Sequence, residues 1–315
     1  MAARFSGSIV ALASREAEAA SGRAASLGKL EDRGPISMYY RKLKGNHVMT
    51  FLVPTTYPQT VLEAASAVTV ARAACLVSGY DLDWRDGELM LLLSSAPLQV
   101  RAVESPVPEK VSAVLRSPGL EGFSVGPSGS CDGVVSGLGP AEASGDGIVV
   151  VDRAFNVRGV GLVMLGFSKL GRVGVHDELM AVPSMRAVTV KSVEVLDESV
   201  DEAGPDVRVG LALKGASLDD VEGAYLLVRE TGQVLVELEA RVARHPWGEE
   251  VRPGRQYHLA ALGVVAPATV VSTEGDRAVF RVSRPLPRAD RYVLIDVNVR
   301  PPRPRVLGVA EPLGV

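Results

Sequence analysis

The chain has 315 residues, of which 47% are hydrophobic and 23% charged, with a formal net charge of −3. That supplies apolar material for two or three domains with real cores and excludes disorder as the main state. The uncharged windows 45–62 and 256–273 are broken by histidine, proline and polar residues, which excludes a membrane-spanning helix.

Two cysteines, Cys75 and Cys131, are too few for a disulfide scaffold or a thiolate metal site, and they predict a reducing compartment, the cytoplasm. The four histidines, at 47, 176, 245 and 258, show no ligand spacing. The amino-terminal stretch 1–19 holds Arg4 and a five-residue apolar run from Ile9 to Ala13, preceded by Ser6-Gly7-Ser8. A signal peptide needs about 7–15 apolar residues, so the run predicts a first buried strand.

Strands are predicted over 8–13, 36–40, 48–53, 74–78 and 99–103, with helices over 16–27, 59–71 and 108–115 between them. Trp84, set among Asp81, Asp83, Arg85 and Asp86, marks a helix start with acids near the positive end of its dipole. The glycine-rich stretch 119–133 lacks a dinucleotide fingerprint and predicts a last strand followed by a loop. Alternating strands and helices predict a mostly parallel sheet covered on both faces, with any ligand beyond the carboxyl ends of its strands.

After Gly145 the rhythm changes to short valine-rich runs at 148–151, 161–165, 189–195 and 207–213, separated by Gly, Pro and Asp turns. Only 218–221 hints at a helical turn. This pattern predicts small β-barrels, and the break at Glu230-Thr231-Gly232 divides them into two units of about 85 residues. Gly159 and Gly161 suit a tight turn, and the acidic run Asp197, Glu198, Asp201, Glu202 reads as a solvated hairpin end rather than a cation site. The Pro-rich stretch 300–305 cannot be a central strand.

Charge is uneven along the chain. Residues 1–140 are neutral overall, 141–232 carry −6, and 233–315 carry +3 with every basic side chain an arginine. Arginine's planar fork suits phosphates, so the last third is the expected nucleic-acid face, although arginine also outnumbers lysine 27 to 7 over the whole chain. Three asparagines and four glutamines are few, as expected of a thermophilic source.

One α/β unit followed by two β-barrels resembles the layout of elongation factor Tu and its relatives. The segment VDRAFNVRGVGLVMLGFSKLGRVGVHDELMAVPS (151–184) is similar to the opening of the translational-GTPase second domain. It has an acidic-basic start, a Gly-x-Gly turn and a Gly-x-Val-x-x-x-Asp return. The stretch 190–227, with its Ala-Gly-Pro turn and Val-Gly-Leu-Ala-Leu strand, continues the likeness, which is nearest to archaeal selenocysteine-specific elongation factors. HPWGEEVRPGRQYHLAALGVVAPATVV (245–271) and RPLPRADRYVLIDVN (284–298) resemble the third domain. Over the first 140 residues the likeness rests on element order and Tyr57-Pro58.

The resemblance implies a GTPase-like α/β domain over 1–142 and barrels over 143–232 and 233–315. It also implies tRNA and the ribosome as partners.

The nucleotide motifs that such a domain needs are missing. A phosphate loop requires Gly-x₄-Gly-Lys-Ser/Thr, whose N–H groups cradle the phosphates. Residues 14–23 read SREAEAASGR instead, with Glu16 and Glu18 where polyphosphate would lie. The Mg²⁺-linked Asp-x-x-Gly aligns with Val53-Pro54-Thr55-Thr56, and the guanine-reading Asn-Lys-x-Asp falls near Glu104-Ser105-Pro106-Val107. The seven or so residues between Gly28 and Ile36 are short for a loop that wraps a nucleotide.

GTP and Mg²⁺ are therefore expected to be lost. Ser14, Ser21, Gly22 and Arg23 are the remnant anion-binding candidates, and Arg252, Arg255, Arg300, Arg303 and Arg305 are the candidate phosphate contacts. The expected function is tRNA or ribosome binding through the barrels, without DNA or membrane. A divergent working GTPase and a protein–protein adaptor are the alternatives. No Gly-x-Ser-x-Gly elbow occurs, and His245-Pro246-Trp247 reads as an anchored turn.

Overall fold

The structure, a computed structural model, describes residues 5–314; Arg4 of the amino-terminal stretch lies outside them. The first strand, β1 (Ser6–Ala13), is almost entirely buried and leads into α1 (Ala17–Leu27). There follow β2 (Lys29–Asp32), β3 (Ile36–Lys42), β4 (His47–Pro54), α2 (Leu62–Val70) and β5 (Ala73–Val77). Then come α3 (Trp84–Ser95), β6 (Val100–Glu104), α4 (Pro108–Val114), β7 (Phe123–Gly126) and α5 (Cys131–Gly137).

The seven strands form one sheet in the order β2-β3-β4-β1-β5-β6-β7. From β1 to β7 the pairing is parallel, with Leu12 opposite Cys75, Cys75 opposite Ala102 and Glu104 opposite Gly126. At the other edge β2 pairs antiparallel with β3. Every residue of β4 is buried, as expected of a strand covered on both faces.

The next nine strands are β8 (Ile148–Val157), β9 (Gly161–Lys169), β10 (Val173–Gly174), β11 (Glu178–Val182) and β12 (Arg186–Val195), then β13 (Glu198–Val200), β14 (Glu202–Ala203), β15 (Val207–Lys214) and β16 (Leu226–Val228). The ring β11-β16-β8-β9-β15-β12 closes on itself through β11–β12, giving a six-stranded antiparallel barrel. Its core is Leu162, Met164, Val190, Val193 and Leu211. At the β8–β9 turn Gly159 and Gly161 adopt φ of 83° and 101°, the left-handed region where a side chain is costly.

A second closed barrel, β17-β20-β19-β18-β21-β22, is built from β17 (Val234–Arg244), β18 (Gln256–Ala261), β19 (Val264–Glu274), β20 (Arg277–Pro287), β21 (Tyr292–Ile295) and β22 (Val306–Pro312). Tyr257, Phe280 and Tyr292 fill it. The only helical turns among the described residues after 145 are short 3-10 pieces, Asp219–Val221 and Thr231–Gln233. No helix among the described residues is long and apolar enough to cross a membrane.

The residues fall into two compact units. One joins the opening of β1 through Ile9, Arg41–Thr50 and Gly139–Val234, and so holds the first barrel. Inside it Gly7 donates its N–H to Pro205 O at 3.0 Å and accepts from Ala141 N at 2.7 Å, while Ser8 Oγ donates to Gly139 O and meets His47 Nε2. The other joins Val10–Tyr40, Phe51–Leu138 and the chain from Leu235 on. In it α2 and α3 pack on the second barrel: Ser66 Oγ donates to Gly263 O, Gly263 N donates to Thr69 Oγ1, and Ser95 Oγ meets His245 Nε2 at 2.9 Å.

Three expectations are corrected. Cys75 and Cys131, read as too few for a disulfide scaffold and as a sign of a reducing compartment, are joined as a disulfide, because α5 folds its first residue back onto β5. The loop expected after β7 contains α5, and the gap before Ile36 contains β2. The sheet itself is mostly parallel, as expected, with the antiparallel β2–β3 pair at one edge.

Candidate functional site

Ligands of such a sheet belong beyond the carboxyl ends of β1, β5 and β6. The β1–α1 connection there is only Ser14-Arg15-Glu16, and Ser14 Oγ accepts from Glu16 N at 3.2 Å. Ser21, Gly22 and Arg23 sit in the body of α1, where backbone N–H groups are spent on the helix ladder. The structure thus separates Ser14 from the other three instead of joining them in one loop.

Two arginines reach over the strand ends. Arg15 lies beyond β5, since a methyl group on Gly79 would meet its Nη2 at 3.1 Å. Its Nη1 pairs with Asp83 at 3.4 Å and Asp86 at 3.3 Å. Those two acids build the capping box of α3, Asp83 accepting from Arg85 N and Asp86 from Asp83 N. Burial pushes the Asp86 carboxyl up, while the side-chain hydrogen bond from Arg85 holds Asp83 down. Arg23 donates Nε to Glu104 Oε2 at 3.1 Å and Nη2 to Gly129 O at 3.1 Å, and pairs with Asp132 at 3.0 Å.

The remaining stretches are engaged by backbone and hydroxyl groups. Thr55 ties back to the turn before β3 through Gly34 O and Pro35 O. Ser105 N donates to Gly126 O and Ser105 Oγ accepts from Val107 N, leading into α4.

The arginines of the last barrel divide. Arg252 and Arg255 belong to one turn, closed by Arg255 N to Arg252 O at 3.2 Å; Arg300 and Arg303 belong to another, closed by Arg303 N to Arg300 O at 3.2 Å. Glu249 bridges the turns, taking Arg303 Nη1 at 2.9 Å and Arg255 Nη1 at 3.5 Å. Arg255 also pairs with Asp296 and lies over the Tyr257 ring. Arg252 and Arg300 are exposed and carry no ion pair among the described residues.

Arg305 must be removed from this set, being only 7% exposed. Its Nε and Nη2 grip the two Glu88 oxygens at 3.0 and 2.6 Å, Nη1 donates to Pro58 O at 3.0 Å, and the guanidinium lies over Tyr57. Burial would pull its pKa down, but hydrogen bonding and charge from Glu88 leave it raised.

No protein-family model matches the chain. Over 168 residues it is 31% identical to an uncharacterised protein of Methanocaldococcus jannaschii, covering 52% of this chain and 53% of that protein. Over 125 residues it is 29% identical to the selenocysteine-specific elongation factor of the same organism, covering 38% and 26% respectively. The chain thus spans about half the length of the first relative and about a quarter of the second. A solved structure of the translation elongation factor SelB of Methanococcus maripaludis, in complex with the GTP analogue GppNHp, superposes with a TM-score of 0.79 at 18% identity. The superposition covers 99% of this chain and 80% of that one. This chain has the SelB fold.

Within the SelB fold, sequence reasoning missed Arg15 and Glu104 at the strand ends and the pairing of Cys75, inside β5, with Cys131 of α5. The acids flanking Trp84 were a signal for Arg15, since an arginine two residues after β1 can reach a capping box on the next βα unit. The cysteines, 56 residues apart, gave none.

Proposed function

We propose that this chain binds RNA of the translation apparatus, tRNA or the ribosome, through its two barrels, in the cytoplasm and without using GTP or Mg²⁺. Its organisation would be a degenerate GTPase-like unit over 1–142 followed by barrels over 143–232 and 233–315. The reading is supported above all by Arg15 and Arg23. Their guanidinium groups, committed to Asp83, Asp86, Glu104 and Asp132, stand beyond the strands where a phosphate cradle would have to be. Phosphoryl transfer is chiefly a matter of positioned backbone N–H groups, a lysine and a metal, and none of the four motifs supplies them. The sequence likeness to a selenocysteine-specific elongation factor supports the RNA side of the reading.

Arg252, Arg300 and Arg303 are the phosphate contacts of this reading, with Arg255 packed behind them on Tyr257. Filter binding of bulk aminoacyl-tRNA and of ribosomal subunits at a series of salt concentrations tests it. Saturable binding should weaken with salt, and replacing the three arginines by alanine should flatten the slope by roughly 0.7–0.9 for each phosphate no longer neutralised. Absence of saturable, salt-dependent binding to either RNA refutes the RNA function. Capture of a single protein, insensitive to nuclease and salt, would point to an adaptor. Calorimetry with GTP or GDP and Mg²⁺ should give no binding heat; micromolar binding would make the chain a divergent GTPase.

A further inference from the structure

The disulfide lies beside an acid that it does not need. Cys75 of β5 and Cys131 of α5 are fully buried, and Glu104, at the end of β6, is nearly so. One carboxylate oxygen of Glu104 and the two sulfurs lie within 4.8 Å of one another. Oε2 of Glu104 accepts from Arg23 Nε at 3.1 Å and Cys131 N at 3.0 Å, while Oε1 carries no hydrogen bond among the described residues. One residue before Cys131, the Ser130 hydroxyl is buried and has no hydrogen-bond partner. A carboxylate gains nothing from a neutral disulfide, whereas two thiolates and a carboxylate in a dry pocket are the donor set of a soft divalent cation.

We propose that Cys75, Cys131 and Glu104 form a binding site for a zinc-class divalent cation, open when the cysteines are reduced and closed when they pair. Charge supports the occupied state. Two thiolates and Glu104 carry −3, a dication cancels two of these charges, and Arg23, shared with the exposed Asp132, faces the third. Zinc–sulfur and zinc–oxygen bonds of about 2.3 and 2.1 Å set donor atoms roughly 3.6–3.8 Å apart around a tetrahedron, a spacing reached from the present cluster by parting the sulfurs. The fourth position falls to water or to the Ser130 hydroxyl. Arg23 need not oppose the cation, because it already holds Asp132 and Gly129 O on its other side.

The chemistry balances. A dithiol reductant gives two electrons and two protons, the S–S bond breaks, two S–H groups form, and the reductant leaves as its own disulfide. The cation then displaces both thiol protons to solvent as two metal–sulfur bonds form. A two-electron oxidant reverses the sequence by re-forming the S–S bond and expelling the ion.

The test uses the full chain, reduced anaerobically with a phosphine and titrated with Co²⁺ and then Zn²⁺. One equivalent of cobalt should bind with a thiolate-to-cobalt charge-transfer band and intense tetrahedral d–d bands, and zinc should displace it. Glu104→Gln, which keeps both cysteines, should weaken binding by more than the roughly 10–100-fold that loss of an outer-shell partner costs, while the thiolate band persists. Cys75→Ser with Cys131→Ser should abolish the band, with circular dichroism reporting whether that variant folds. A two-electron oxidant added to the cobalt-loaded wild type should release the ion, with loss of two hydrogens by intact mass; this arm needs no variant. The proposal falls if the reduced wild type takes up no cobalt, if the cysteine variant binds it equally, or if Glu104→Gln leaves the affinity unchanged.

Discussion

Replacing Arg305 by methionine tests whether it is a structural arginine rather than an RNA contact. The wild-type residue spends three side-chain donors and its backbone N–H inside the protein, all but one of them on Glu88. Arg305→Met leaves the Glu88 carboxylate buried without its counter-charge, which costs about 3–5 kcal/mol; Glu88→Leu strands the guanidinium and costs a similar amount. The double variant removes both charges, so it should lose only about 1–3 kcal/mol, chiefly from the Arg305 N–H that loses its acceptor. Urea unfolding of the four proteins gives the coupling energy directly. The reasoning is refuted if the double variant equals the sum of the singles within about 0.5 kcal/mol. A second readout separates roles: Arg305→Met should leave the salt dependence of RNA binding unchanged, whereas Arg303→Ala, at a side chain 72% exposed, should reduce it.

Three further outcomes are expected. Reducing the Cys75–Cys131 bond, which spans a sequence separation of 56 residues, should lower stability by about 4 kcal/mol on the chain-entropy argument, measured as the shift in urea midpoint with and without reductant in metal-free buffer. Gly7→Ala should destabilise by about 1–3 kcal/mol, because its Cβ would stand 2.0 Å from Asp206 O, and a wild-type melting temperature would contradict this. Burial holds the His245 imidazole below its usual pKa, so below about pH 6.5 the unfolded chain takes up a proton that the folded chain refuses. Stability should therefore fall as pH is lowered through that value, and His245→Asn should flatten the fall; equal slopes for variant and wild type would count against it.

The barrels were legible because their signals are local. Val-rich alternation, Gly159 and Gly161 at a tight turn and the acidic hairpin end after β12 each fix a short piece of antiparallel pairing without reference to anything distant. In the first sheet the fully buried strands declared themselves as apolar runs. β2 did not, because Lys29, Glu31 and Asp32 leave it polar and its pairing depends on β3. Helix α5, seven residues with three glycines or serines, has little propensity of its own and is held by Cys131. The candidate site failed along the same line. Arg305 sits in an exposed-looking Pro-Arg tract, and only its approach to Glu88, 217 residues earlier, shows that it is interior.

The division of the chain between the two units bears on how the protein is made. The unit containing Val10–Tyr40 and Phe51–Leu138 also needs the chain from Leu235 on, so helices α2 and α3 keep bare faces until the last strands emerge. The barrel between Ile148 and Val228 draws its strands from one continuous stretch and can close while the rest is still being synthesised. Vectorial synthesis therefore leaves the earliest-made sheet waiting longest for its covering. A chain stopped before residue 235 would display that apolar surface to chaperones and proteases.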